Sequence, residues 1–414
     1  MKYTVKRNPH YDYLGQNYAT VYPNLHKYPA TMLPQIGIDI LKEFNATKGV
    51  LLDPYCGSGS SFASGLECGL TTMFGYDLNP LAVLISKVRF TKVSIQKIME
   101  TKQKFRNDLY DFLKDEDYVR KLPIPSITNL HFWFSTEVAT TLALLKHCIF
   151  RVENESIRNF FLVPFSETIR ECSYTRNNEF KLYRMKSEDC LNFNPDVLGV
   201  FFKKLEDAVF LYTNYYFEKL DSVNVNVFAS AFQGTNRQFD VVLTSPPYGD
   251  SRTTVAYGQF STFSNEWLGI EKARALDKQL MGGSQTRTPI KNGLIADYIE
   301  QVRKNDAKRS LDVSAFYRDL ESSIKKVAAG IKKGGKAIYV VGNRTVKGVQ
   351  LPTDQFIAEK FEESGFQHLI TYERFISNKA MPCRNSPSNV PGKTANTMLF
   401  EYIVVCEKQK GLSD

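Results

Sequence analysis

Short apolar runs alternate with helical periodicity near the start of this chain and again toward its end. Val50-Leu51-Leu52-Asp53 is an apolar run closed by an acid, and Pro54-Tyr55-Cys56-Gly57-Ser58-Gly59-Ser60 is a turn of small residues. A helical pattern follows, with Phe62, Leu66 and Leu70 on one face. Thr71 to Tyr76 reads as a second strand, closing on Asp77-Leu78-Asn79-Pro80. The periodicity passes from buried strand to helix and back, which predicts a strand, glycine turn, helix, strand, acid unit.

Further along, Asp221 to Phe228 alternates, with Val223, Val225 and Val227 on one side. A short polar loop then leads into the buried run Phe239-Asp240-Val241-Val242-Leu243. A long polar stretch covers Gly249 to Ser310. Ser314 to Ile331 reads as an amphipathic helix, with Lys332-Lys333-Gly334-Gly335 as a basic last turn and glycine stop. Lys336 to Val341, Gln367 to Phe375 and Met398 to Cys406 read as strands, and Thr353 to Ser364 as a helix. The fold class is α/β. Between Asp77 and Asp221 lies far more chain than a compact crossover needs. Ser94 to Leu122, Ser135 to Phe150, Ser156 to Ile169 and Asn192 to Lys219 have helical character, so 91–221 is expected to be a mostly helical insert.

The glycine turn narrows the ligand. Gly57 and Gly59 let backbone approach a bound molecule, and Asp77 can accept hydrogen bonds from ribose hydroxyls. A dinucleotide site would carry a third glycine where Phe62 stands. A P-loop would carry a lysine, and Gly59-Ser60-Ser61 has none. The loop therefore suits a nucleoside with a compact, uncharged-to-cationic tail, and Asp53 could face a cationic one.

Thr244-Ser245-Pro246-Pro247-Tyr248 ends the run at Leu243. Its prolines lack N–H donors and fix φ, so the chain leaves the sheet stiffly with carbonyls unpaired. A hydroxyl before them and a ring after them make a rigid cup of acceptors beside a stacking surface. That suits a planar base with an exocyclic amine. An ordinary strand followed by a proline turn is the plainer alternative.

Asp53-Pro54-Tyr55-Cys56-Gly57-Ser58-Gly59 resembles the cofactor loop of amino-methylating DNA methyltransferases that use S-adenosylmethionine. Thr244 to Tyr248 resembles their catalytic motif in the form typical of cytosine-N4 enzymes of the restriction-modification kind. Tyr28-Pro29-Ala30-Thr31-Met32-Leu33-Pro34 looks like the segment that closes over the methionine moiety. The resemblance covers roughly 20–90 and 222–407. It implies a Rossmann-like, mostly parallel sheet with a terminal antiparallel hairpin. The catalytic domain is then 1–90 with 222–414.

The resemblance also assigns residues. Thr31, Asp53, Pro54, Tyr55, Gly57, Gly59, Asp77, Leu78 and Thr244 would bind the cofactor. Ser245, Pro246, Pro247 and Tyr248 would be catalytic. The target base is flipped from the duplex. Ser245 and the Pro246 carbonyl accept from its amine, and Tyr248 stacks on its face, a role that needs the ring and not the hydroxyl. Adenine-N6 methylation of DNA, guanine-N2 methylation of RNA and a catalytically silent nucleic-acid-binding module remain open alternatives.

Charge supports a polyanionic partner. The 414 residues hold 53 Lys+Arg and 44 Asp+Glu, a net +9. Double-stranded DNA is the expected partner, with a cognate restriction endonuclease acting on the same site. Arg170, Arg176 and Arg184 stand among Tyr174, Phe180 and Tyr183 in the insert, where they suit phosphates and unstacked bases. A solvated helix face with snorkelling side chains would look the same. The stretch 250–310, with Arg252 and Arg287, is the candidate for base readout.

Seven cysteines without a Cys-x-x-Cys read as reduced thiols of a cytoplasmic protein, and five histidines without ligand spacing predict no metal. Pro382-Cys383-Arg384 resembles the nucleophile of cytosine-C5 enzymes, but it stands far from the strand that ends at Thr244. Cys383 is not expected to act. The sequence contains no run of apolar residues long enough to cross a membrane.

Overall fold

The computed structural model describes residues 3–15, 22–29, 31–176, 180–250, 256–376, 384–385, 395–396 and 398–410. Its frame is an eight-stranded sheet. In chain order the strands are β1 (Val5–Arg7), β2 (Val50–Asp53), β3 (Thr72–Tyr76), β4 (Asn224–Phe228), β5 (Phe239–Thr244), β6 (Ile331–Val341), β7 (Phe366–Phe375) and β8 (Phe400–Lys408). Across the sheet they run β1, β7, β8, β6, β5, β2, β3, β4. Within this sheet β8 is antiparallel to both its neighbours, wedged between β6 and β7. The remaining pairs are parallel, which is the Rossmann-like arrangement expected. Chain order reverses between β2 and β5, the switch point where such sheets open a crevice.

Helices cover both faces. The sheet packs on α1 (Pro34–Glu43), α2 (Ser60–Glu67) and α3 (Pro80–Phe90) on one side. The insert supplies α4 (Ile95–Leu113), α5 (Thr136–Phe150), α6 (Glu155–Glu171) and α7 (Val197–Tyr215). After the proline motif come α8 (Tyr257–Trp267) and α9 (Ala296–Asn305), then α10 (Ala307–Gly330) and α11 (Thr353–Glu362). One apolar cluster joins Leu51, Leu243 and Ile338 of the sheet to Leu142, Phe161 and Leu205 of the insert and to Trp267 of α8. The insert therefore shares a core with the sheet. The opposite face buries Leu52, Val242 and Tyr339 against Leu320, Phe356 and Phe361.

Three readings of the sequence change. Lys332 to Gly335 is no helix stop, because β6 already begins at Ile331. The register with β5 slips between Phe239 and Val241, so these residues form a bulge, with Gly334 at φ +78°. Helix α10 starts well before Ser314, at Ala307, because the Asp306 side chain accepts from the Arg309 N–H at 2.9 Å as an N-cap. Finally, 250–310 is not all polar loop. Phe263 and Trp267 of α8 are buried in the core.

Phe62, which stands where a third glycine was absent, is fully buried. The compensation lies across from it. A Cβ on Gly75 of β3 would strike the Phe62 ring. The missing side chain has moved from helix to strand, and the two elements still close up.

Candidate active site

Beyond the carboxyl ends of β2 to β5 lies a cavity of about 310 Å³. That is at the lower end of the ~300–1,000 Å³ usual for small-molecule sites. The glycine turn forms one wall. Gly57 has φ +49°, and a Cβ there would meet nothing nearer than Tyr28 at 3.9 Å, so the space before it is open. Its N–H donates to Asp77 at 3.0 Å, and the Asn79 N–H donates to the other Asp77 oxygen at 2.7 Å. These bonds aim the carboxylate across the cavity from the end of β3. Gly59 has a different role from the one expected. Its φ is +88°, and a Cβ would strike Phe90 and Ser86 at 2.7 Å, so its freedom serves helix packing and it does not line the cavity.

Asp53 sits at the back. Ser61 Oγ and Thr244 Oγ1 each donate to it at 2.5 Å, and the Tyr55 N–H at 2.9 Å. Thr244 is fully buried and does not line the cavity; it ties the end of β5 to Asp53. Burial pushes the Asp53 carboxyl up to about 6, against those hydrogen bonds, with Asp77 adding repulsion. Burial likewise pushes Asp77 up to about 6, while its backbone donors pull the other way. Two carboxyls made costly to ionise in one cavity favour a cationic occupant.

Aromatic rings and a buried polar net close the near side. Tyr28 and Tyr257 stack with centroids 6.1 Å apart and planes at 24°. Asn79 Nδ2 donates to Tyr28 Oη at 2.9 Å and to Ser261 Oγ at 2.6 Å. Asn79, at the start of α3, thereby fastens the turn after β3 to Tyr28 and to α8. Arg89, fully buried, donates to the Ser58 carbonyl at 2.5 Å and to Tyr216 Oη at 2.9 Å. It stiffens the glycine turn from behind.

The proline motif opens onto the same cavity. Ser245 and Pro247 line it together with Thr31, Pro54, Tyr55 and Leu78. Pro246 and Tyr248 stand beside it. Ser245 Oγ donates to Tyr248 Oη at 3.2 Å, and Tyr248 Oη donates to Glu401 at 3.0 Å. Asp250, buried just past the motif, pairs with Arg309 at 2.5 Å and Arg344 at 2.8 Å, anchoring the chain as it leaves the sheet. Asn79, Tyr257, Phe232 and Glu401 escaped the sequence reading. Asn79 stands inside the Asp77-Leu78-Asn79-Pro80 segment but was given no role there; the other three lie outside the motifs, and only the fold brings them near.

The candidate DNA residues separate. Arg170 is buried, with its guanidinium 4.6 Å over the Phe260 ring and donating to the Phe260 carbonyl at 3.3 Å. It braces α6 against α8 and offers phosphate nothing, contrary to expectation. Arg184 donates to the Phe132 carbonyl at 2.8 Å and lies over the Phe132 ring at 4.6 Å. Arg176 and Arg287 are exposed. Arg252 and Cys383 lie outside the described residues. The described cysteines are free thiols. Among the described residues no group of His, Cys, Asp or Glu is placed to hold a metal, and no helix is long and apolar enough to cross a membrane.

The sheet is mostly parallel, with a cavity at its switch point and the Ser-Pro-Pro-Tyr turn on its rim. The chain is 34% identical over 426 residues to the type II methyltransferase M.MvaI of Kocuria varians, a match spanning 96% of this chain and 93% of that protein. The chain belongs to the type II methyltransferase family, whose members draw their methyl group from S-adenosylmethionine. A shorter match, 27% identical over 116 residues, covers 27% of this chain and 22% of M.MjaII, a type II methyltransferase of Methanocaldococcus jannaschii. No protein-family model matches. Solved structures overlap weakly. An rRNA methyltransferase, aviRa of Streptomyces viridochromogenes, is 11% identical over 97% of this chain and 94% of its own, with a TM-score of 0.30. A Thermus thermophilus protein provisionally described as a DNA modification methylase, complexed with S-adenosylmethionine, is 24% identical over 25% of this chain and 41% of its own, with a TM-score of 0.17. Overlaps this weak carry no argument, and the family rests on the full-length match.

Proposed function

We propose that this chain transfers a methyl group to the exocyclic N4 of a cytosine flipped out of double-stranded DNA. The observation that carries the reading is the shared cavity: Ser245 faces the same space as Asp77 and Gly57. A nucleoside donor and an amine acceptor can meet there.

The residues present fit S-adenosylmethionine. Asp77 would take the ribose hydroxyls, and Gly57 leaves room for the chain of the ligand to pass. Asp53 and Asp77 supply negative charge to a cationic tail, and Tyr28 with Tyr257 covers it. Bound S-adenosylmethionine supplies an electrophilic methyl group on a sulfonium. The protein's own residues do the rest. The cytosine amine is a weak nucleophile because its lone pair is delocalised into the ring. Ser245 Oγ and the Pro246 carbonyl accept its N–H bonds and turn the nitrogen toward the donor. Proximity and orientation supply much of the rate. Attack leaves N4 cationic and therefore acidic, and its extra proton passes to solvent, so no strong base is needed and no covalent bond to the protein forms.

DNA contact is assigned by exposure. Arg176 would meet phosphate, and the exposed loop carrying Arg287 would reach base edges. The test of the catalytic reading is Ser245→Ala. It should keep S-adenosylmethionine affinity within about twofold, since Asp77 and the glycine turn are untouched, and lose methyl transfer to DNA by about 100-fold or more. A Ser245→Ala protein with full transfer activity would remove the serine from the mechanism.

A further inference from the structure

Hydrogen-bond direction at the proline motif is set from a distant pair of strands. Arg374 on β7 is fully buried and ion-paired with Glu401 on β8. Arg374 Nε also donates to the Tyr11 carbonyl at 2.7 Å, which fixes the guanidinium from its other side. Glu401 paired in this way is a carboxylate, an acceptor only. Its second oxygen faces Tyr248 Oη at 3.0 Å. The Tyr248 phenol has one proton and must give it to Glu401. Burial, followed by the nearby Glu401 charge, holds that phenol well above its usual range, so the proton stays on oxygen. The phenol oxygen can then only accept, and its neighbour at 3.2 Å is Ser245 Oγ. A serine hydroxyl has one proton and two lone pairs. With the proton committed to Tyr248, both lone pairs of Ser245 remain for the cavity.

We propose that the Arg374–Glu401–Tyr248 relay makes Ser245 an obligate hydrogen-bond acceptor, so that the site selects a base edge that donates, an amine, over one that presents a carbonyl. The inference rests on the reading of Ser245 as the residue that meets the target amine, and it adds the residue that sets its polarity. Glu401 is a positioning residue, acting through Tyr248 and touching neither base nor donor. The Tyr248 hydroxyl is then as much a part of the device as its ring.

The experiment is a double-mutant cycle on methyl transfer from labelled S-adenosylmethionine to unmethylated DNA. Its members are the parent, Glu401→Gln, Tyr248→Phe and the double variant. Glutamine can donate as well as accept, so it keeps the shape and loses the direction. Each single variant should lower kcat about tenfold, the scale of one hydrogen bond to a charged group, with KM for donor and DNA little changed. The double variant should be no slower than the slower single, because both changes break one chain. Losses that multiply to about a hundredfold, or a Glu401→Gln protein with parental kcat, would overturn the relay. If Glu401→Gln fails to fold, Tyr248→Phe decides alone, and parental kcat there overturns it equally. A fully active Ser245→Ala protein would sink the catalytic reading itself, an outcome distinct from each of these.

Discussion

On the proposed reading, donor binding turns on Asp77. Its carboxylate is aimed by the Gly57 and Asn79 N–H groups and borders the open space of the cavity. Asp77→Ala should weaken S-adenosylmethionine by about 1–3 kcal/mol in titration calorimetry, the cost of losing hydrogen bonds to a charged group. Unchanged affinity in a folded variant would remove the assignment. The same carboxyls give a pH dependence. Asp53 and Asp77 are both raised by burial from 3.8 to about 6. The native state therefore binds more protons than the unfolded chain between about 4 and 6, and these groups destabilise the ligand-free protein as pH rises through that window. A cationic donor binds the ionised forms and reverses the preference. Its affinity should fall as pH drops below about 6, and Asp77→Asn should flatten the profile. A profile flat from pH 5 to 8 in the parent would contradict the charge argument.

At this scale the sequence was partly legible. The strand ends, the glycine turn and the proline motif announced themselves by local chemistry. Gly59 and Arg170 misled, because what decides their roles is contact with Phe90 and Phe260, residues remote in the chain. The Tyr248 hydroxyl's partner was equally hidden, since Glu401 lies 153 positions away.

Among elements, α8 shows how periodicity is masked. Phe260, Phe263 and Trp267 follow its buried stripe, but Ser261, Thr262, Ser264 and Asn265 are buried as well and make the segment read as polar. These hydroxyls and amides are spent inside the fold: Ser264 Oγ donates to the Ser166 carbonyl at 3.0 Å, and Asn265 Nδ2 to Asn79 at 3.3 Å. Helix α8 is thus the joint between the insert and the turn after β3. Arg170→Ala would strip the brace from its first turn and leave the Phe260 carbonyl without that donor. It should cost about 1–3 kcal/mol in denaturant unfolding, with no change in the salt dependence of DNA binding. A drop in salt dependence without loss of stability would return Arg170 to the DNA surface. The bulge at Lys332–Gly335 was hidden by a basic run before glycines, a pattern that a helix end and a kinked strand share.

For the whole molecule, the insert is no appendage. It shares one core with the sheet, so deleting 91–221 should prevent folding rather than release an intact catalytic domain. The +9 charge still favours DNA, and its readout is expected to divide. Arg176→Ala should weaken binding to all sequences and lower the salt slope by about one phosphate contact. Arg287→Ala should relax sequence choice, at about 1–3 kcal/mol per lost bidentate contact. Methylation mapping with each variant tests the division, and relaxed specificity from Arg176→Ala alone would reverse it. Topology was legible in order and type of element, since a parallel sheet follows from alternating strands and helices. The parallel edge strand β1 was not, because three exposed residues carry too little pattern.

The target base is the central claim, and one measurement reaches it directly. DNA lacking the modification is methylated with this chain, digested to nucleosides and resolved by mass and retention. The account predicts N4-methyldeoxycytidine with the intact protein and none with Ser245→Ala. N6-methyldeoxyadenosine, or a methyl group on cytosine carbon, would contradict it.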